Sequence, residues 1–278
     1  MRGIIISFFA YTPILLWMAL VMLAIMVEYM FRQEDAHAKR GKLLNLANGS
    51  VVCLSIFVVT PLFQILILSA SGRAGIGLID LRIFPHHEFA SQIAAGMVFL
   101  FVDDLLFYAW HRFEHKIPVL WDMHAVHHSD ASINSTTYLR QHWLEAPLQK
   151  ILLAIPMLLI FKFTPLEATI LGFGSSFLAF FTHMNVRLRL GQFSWIVTGP
   201  QLHRLHHSVL KRHQDTNFAQ MFPIIDCIFG TYVHPQWDEF PPTGLASKER
   251  IETLPDALLW PFKKWLGRMN SRAPQPRY

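Results

Sequence analysis

Histidine dominates the residues that could do chemistry. The chain has 15 His in 278 residues, and eight of them fall in three short groups: His111 and His115; His124, His127 and His128; His203, His206 and His207. On a helix, residues three or four apart share a face about one turn apart. Each group is therefore expected to turn its imidazoles one way, and three such faces converging would form a nitrogen-rich pocket with room for more than one metal ion. Neutral imidazole suits zinc, copper, iron and nickel. A lone histidine on an apolar face is ordinarily a satisfied core residue. Two HxxHH groups and an HxxxH pair are another matter, because burying so many imidazoles costs desolvation unless each nitrogen finds a partner.

The elements that must carry these groups are apolar. The composition is 53% hydrophobic and only 15% charged, where soluble domains carry roughly 25% charge, and the mean hydropathy is +0.32. That is the composition of an integral membrane protein. The net charge of +5 does not indicate nucleic-acid binding, since the basic residues lie beside apolar segments and in the C-terminal third, as positive-inside orientation requires. Two cysteines, Cys53 and Cys227, are too few for a disulfide framework or an iron–sulfur cluster.

The fold class expected is all-α, an integral membrane helical bundle of about four to five transmembrane helices with a cytoplasmic histidine-rich helical cap, forming one domain over residues 1–278. The first apolar run, residues 4–31, is interrupted late by Glu28 and exceeds a signal-peptide core in length. Residues 32–48 read as a basic connection, 49–70 as a second span, and 71–89 as a loop with a short interfacial piece. A third span, 90–110, delivers His111 at its end. Residues 116–145 are polar enough to lie outside the bilayer, and 146–163 with 165–182 read as a helical hairpin that returns to the histidine side, where His183 emerges. Alternation puts the basic segments and all the clustered histidines on the cytoplasmic side.

The three motifs together resemble the fatty acid hydroxylase/sterol desaturase superfamily of membrane enzymes. The surrounding words match as well: DLLFYAWHRFEH from Asp104, the isolated His183 in FTHMN, and DTNFAQMFPIIDCIFGTY from Asp215 to Tyr232. In that last stretch Ala219 stands where the family usually has glycine, and Ile225 where it has tryptophan. The resemblance covers residues 104–232, the expected catalytic region.

The resemblance implies a non-haem diiron centre, with zinc possible as a substituted metal, that uses O2 and two electrons on a C–H bond of a lipid such as a fatty acyl chain or sterol. Its ligand candidates here are His111, His115, His124, His127, His128, His183, His203, His206 and His207. The lipid would enter from the bilayer. Without a fused cytochrome or a dinucleotide motif, an external electron donor is implied, either cytochrome b5-like or a ferredoxin and its reductase. Short connections and a bare catalytic unit favour a bacterial inner membrane over the endoplasmic reticulum. Asp104, Tyr108, His111 and His115 lie on one helix face, which makes Asp104 a candidate to orient a metal-bound imidazole through its second N–H. Arg140, His142 and Glu145, in RQHWLE, also resemble a family element and are read as supporting residues. Asp215 and Asn217 are candidates to support the third cluster, and His213 reads as a solvated neighbour of Lys211 and Arg212. His86 and His87 are placed in a loop on the opposite side, and His37 and His234 at the surface.

Two other readings compete. HRFEH is also the HxxEH pattern of a zinc protease with Glu114 as base, although a protease has no need of two HxxHH groups. A histidine-rich metal transporter or store is the non-enzyme reading, but here the histidines cluster at one face instead of lining the spans.

Overall fold

The computed structural model describes residues 19, 22–31, 38–71, 77–80, 89–162 and 165–270. Among them the architecture is helical. Helix α1 is Met22–Phe31. It is followed by α2 (Ala38–Ser71), α3 (Phe89–Lys116), α4 (Pro118–His128), α5 (Glu145–Ile160), α6 (Pro165–Thr182), α7 (Pro200–His206), α8 (Ile224–Phe229) and α9 (Leu254–Asn270). One minimal ladder departs from the all-α expectation: β1 (Ile79–Asp80) pairs in parallel with β2 (Phe161–Lys162). A Cβ on Gly77 would overlap the Phe161 carbonyl, so a glycine is needed for this approach.

The ladder fixes the direction of the long helices. It ties the segment after α2 to the residues that end α5, so both helices run away from the histidines. Helices α3 and α6 run back and end at Lys116 and Thr182, beside His115 and His183. Helix α3 is central and packs against α4, α5 and α6. Only Ile117 separates α3 from α4; Pro118 at the first helical position starts the new helix, its fixed φ suiting that site. The second histidine group is thereby folded back onto the first.

Two segments, Arg40–Val59 and Ala90–Lys116, are long and apolar enough to cross a membrane. Both differ from the sequence expectation. Residues 38–48 form the first turns of α2 rather than a connection, because Leu43, Leu44, Leu46 and Ala47 are good helix formers and the side chains of Asn45 and Asn48 have buried partners across the chain. Helix α3 does not stop at residue 110 but continues to Lys116, carrying His111 and His115 within it. Of the first apolar run only residues 19 and 22–31 are described; its beginning, His37, His86 and His87 lie outside the described residues.

Glu28, which interrupts that run in sequence, is fully buried. It accepts hydrogen bonds from the backbone N–H of Ser135 at 3.1 Å, the Ser135 hydroxyl at 2.9 Å, the Asn185 N–H at 2.7 Å and Lys42 Nζ at 2.8 Å. A buried carboxylate requires such partners, and these join α1, α2 and the segments after α4 and α6. A second polar knot centres on Arg140. Its guanidinium donates to the Val126 carbonyl at 3.1 Å, to Asn45 Oδ1 at 3.2 Å and to the Ile251 carbonyl, tying the end of α4 to α2 and to the approach to α9.

Candidate metal centre

The structure brings all nine candidate histidines together, in two adjoining groups. His111, His115, His124, His128 and His206 form the first; His127, His183, His203 and His207 form the second. All nine are buried. The spacing explains the division. At 3.6 residues per turn, i and i+4 point nearly the same way, while i+3 lies about 100° round from i+4. His124 and His128 therefore serve one group and His127 the other. Helix α7 mirrors this: His203 and His207 serve the second group and His206 the first. The expectation that each triplet faces one way is corrected here, since each triplet straddles both groups. They meet where the rings of His128 and His207 stack with centroids 4.3 Å apart.

The outer nitrogens fix the inner ones. His111 Nδ1 lies 2.8 Å from the Phe218 carbonyl, His206 Nδ1 2.8 Å from that of Thr216, and His183 Nδ1 2.6 Å from that of Ala179. A carbonyl only accepts, so each Nδ1 carries the proton and donates it. His124 Nδ1 likewise donates to Glu145 Oε1 at 2.8 Å. Burial pushes His206 down to about 3 and His183 down to about 4, so both rings are neutral at pH 7 and each Nε2 holds a lone pair. Burial, with neighbouring imidazoles second, also lowers His127, His128, His203 and His207 well below the ordinary histidine value.

These Nε2 atoms face one another. His111 to His124 and His124 to His128 are each 3.1 Å apart. In the second group His127 to His183 is 3.2 Å, His183 to His203 3.0 Å and His203 to His207 3.2 Å. Between His111 and His124, whose Nδ1 atoms both donate outward, lone pair faces lone pair, and no hydrogen bond can join two acceptors. A cation between them removes the conflict. Two nitrogens at about 2.1 Å from one metal and at right angles lie about 3.0 Å apart, and about 3.4 Å apart at the tetrahedral angle. The observed edges match. The buried Nε2 atoms of His115 and His206 have no hydrogen-bond partner, which is what an ion-binding nitrogen shows when its ion is left out of account. The residues therefore fit one transition-metal ion in each group.

A single stretch after the third motif orients the first group. Asp215 Oδ1 lies 3.4 Å from His115 Nδ1, the Thr216 carbonyl holds His206, and the Phe218 carbonyl holds His111. Asp215 and Asn217 have φ of 57° and 55°, the left-handed region that Asp and Asn tolerate better than most residues. Two buried carboxylates grip the irregular segment that follows. Asp226 accepts from the N–H of Phe218 and Ala219 at 2.8 and 2.9 Å. Asp104 accepts from the N–H of Gln220, Met221 and Phe222 at 2.8, 3.0 and 2.7 Å. Asp104 thus touches backbone, not imidazole. Seven residues before His111 on one helix, it lies about 10 Å away along the axis, beyond reach of that ring. Asp215 supports His115 of the first motif, whereas the sequence pointed to the third cluster, and Asn217 holds the backbone of Val233.

Of RQHWLE, the Glu145 carboxylate meets His124 and the Arg140 backbone carbonyl lies beside the His127 ring; His142 Nε2 lies 3.0 Å from the Leu258 carbonyl of α9. Glu114 Oε2 is 3.6 Å from His124 Nδ1, behind Glu145. His213 is buried and sits 3.1 Å from Glu239, outside both groups, so it is not a solvated residue. His234 is at the surface, 2.9 Å from the Tyr232 hydroxyl. A cavity of about 260 Å³ reaches the first group at His115, His128 and His206, between Trp121 of α4 and Trp260, Lys264 and Arg268 of α9.

Residues 96–231 match the fatty acid hydroxylase family model. The chain is similar to an ornithine lipid hydroxylase of Rhizobium tropici, 30% identical over 159 residues that make up 57% of this chain and 47% of that protein. It is similar to the alkylglycerol monooxygenase of Caenorhabditis elegans, 30% identical over 54% of this chain and 29% of that protein, and to that of Homo sapiens, 33% identical over 46% and 28%. The matched part is thus less than half the length of each of these relatives. No solved structure matches the chain.

Proposed function

The chain belongs to the fatty acid hydroxylase superfamily through residues 96–231, and from that premise we propose that it is a membrane-bound, O2-dependent lipid hydroxylase with a pair of iron ions. The observation that carries the proposal is the double histidine group, with buried Nε2 atoms opposed at 3.0–3.2 Å. The first group would hold one ion through His111, His115, His124, His128 and His206, and the second the other through His127, His183, His203 and His207. An iron pair bound there supplies the redox chemistry that lets O2 attack an unactivated C–H bond.

The chain's own residues do the positioning. The carbonyls of Phe218, Thr216 and Ala179 and the carboxylate of Glu145 hold the Nδ1 protons of His111, His206, His183 and His124 outward, so the inner nitrogens of these four rings are free to ligate. Burial of all nine imidazoles excludes bulk water from the ligands. The cavity at His115, His128 and His206 leaves the first group one open side.

The four long helices support the proposed placement. They run alternately, and with the first apolar run they make up to five membrane crossings, the histidines lying where helices leave the bilayer on the basic, cytoplasmic side. A lipid enters from the bilayer there and an external one-electron donor docks from the cytoplasm, which fits a bacterial inner membrane. The relatives named as hydroxylase and monooxygenases favour hydroxylation over desaturation, and an amphipathic lipid as substrate.

The test is metal content and product together. Protein purified gently from iron-fed cells should carry about two metals per chain, iron among them, and with O2, a reductant and bilayer lipid should yield a lipid heavier by one oxygen. One tightly held zinc and no oxygenated product would overturn the proposal.

A further inference from the structure

Helix α9, Leu254–Asn270, is built inside out for a cap surrounded by water. Its charged residues Lys264 and Arg268 turn inward, where they line the cavity and pair with Glu249 and Asp122. Ala257 and Pro261 are buried, but three of its large apolar residues turn outward. Leu259, Leu266 and Met269 are 51%, 60% and 81% exposed, and at 100° per residue all three fall within about 80° of arc. Phe262 lies in the same arc. An exposed stripe of this kind on a helix already packed against a core marks a surface that meets something apolar.

The neighbours of α9 identify the occupant. Trp143, two residues before α5 begins, donates to the Leu258 carbonyl at 3.3 Å, so the stripe starts level with the first turn of an apolar helix. Helix α5 has its own exposed row, Leu148, Leu152, Ile155 and Leu159, and the Phe262 ring of α9 lies 6.4 Å from that of Trp143 just before it. Other exposed apolar residues occur where other apolar helices enter the cap. Phe193 and Trp195 follow α6, and Phe229 stacks on Tyr108 of α3 with centroids 5.1 Å apart.

We propose that α9 is an interfacial anchor that lies in the membrane plane with Leu259, Leu266 and Met269 sunk to the headgroup–acyl boundary of a bilayer. It holds the cap against the membrane and keeps the inward Lys264 and Arg268 over the cavity. The occupant is a lipid surface, not a second copy of the chain. This anchor rests on the membrane placement proposed above.

The test uses the full chain with Cys53 and Cys227 replaced by Ser, a polarity-sensitive thiol probe at Leu266→Cys or Met269→Cys, and a water-facing control at Glu252→Cys. In vesicles of phosphatidylcholine and phosphatidylglycerol, the probes at 266 and 269 should shift to the blue. They should be quenched several-fold more by lipid-borne nitroxide than by aqueous iodide, with the reverse at 252. Iodide quenching at 266 and 269 equal to that at 252 would overturn the anchor. Loss of the blue shift on dilution of labelled chains with unlabelled ones would assign the stripe to a self-contact and overturn it too. Metal content is measured on the same preparations. Metal-free chain with lipid-protected probes would count against the hydroxylase proposal alone, and metal-loaded chain with water-exposed probes against the anchor alone.

Discussion

His111 Nδ1 donates to the carbonyl of Phe218 at 2.8 Å, and Phe218 is itself held by Asp226 through its own N–H at 2.8 Å. The orientation of one ring in the first group thus depends on a carboxylate that never touches it. Asp104 extends the same grip over the next turn of chain, taking three backbone N–H groups at 2.7–3.0 Å.

Asp104→Ala should therefore be a folding and metal-retention defect before it is a catalytic one. It leaves three N–H groups in or near the core without an acceptor, at about 1–3 kcal/mol each if none recovers a partner. Apparent melting in detergent should fall sharply, and metal per chain should fall with it. A variant that melts like the parent, keeps its metals and has lost activity would show that Asp104 acts on chemistry instead.

Glu145 and Glu114 should separate cleanly. Glu145 takes the His124 proton at 2.8 Å, while Glu114 stands at 3.6 Å. Removing a carboxylate that orients a ligand histidine costs about 10–100-fold in metal affinity, so Glu145→Ala should bind the first-group metal weakly, as read by chelator competition. Glu114→Gln should keep most of its activity. Complete loss of activity with metal retained in Glu114→Gln would bring back the zinc-protease reading.

The histidine groups were legible because each has helical spacing, and spacing survives in the sequence. The division of each triplet between two groups is also a consequence of spacing, since His127 and His128 are about 100° apart, but only the packed arrangement of α3, α4 and α7 shows which ring turns to which group. The supporting contacts were not legible. Thr216, Phe218 and Ala179 contribute backbone carbonyls, which every residue has, and no side-chain pattern points to them. The left-handed pair Asp215 and Asn217 was the one visible signal of a bent segment there. Asn45 and Asn48 read as part of a polar connection because their partners, Asp130 at 2.9 Å and the Gln141 carbonyl at 2.6 Å, lie some ninety residues away. Polarity alone does not distinguish water from a distant buried partner.

Glu28→Ala should loosen α1 from the rest. Its carboxylate takes four donors from three segments, and their loss leaves the N–H groups of Ser135 and Asn185 buried and unpaired. The expected cost is about 2–5 kcal/mol, read as a lowered melting temperature with metal content still near that of the parent at low temperature. Glu28→Gln should recover part of the loss by accepting from two of the donors. Equal melting in all three proteins would mean that α1 is held by apolar contact alone.

His207→Ala and His115→Ala test the two groups separately. His207 belongs to the second group and His115 to the first. Each substitution should abolish turnover and lower bound metal, while the protein still inserts in the membrane, because neither ring lies on an outward-facing apolar surface. The two variants should lose different ions. In the iron-loaded protein this should appear as two distinct mononuclear spectra in place of one coupled spectrum. The remaining ion should leave His207→Ala more slowly under chelation than it leaves His115→Ala, since His207→Ala keeps the first group's five imidazoles against the second group's four. Identical spectra from the two variants would mean that the nine histidines serve one ion, and full turnover in either would remove that residue from the ligand set.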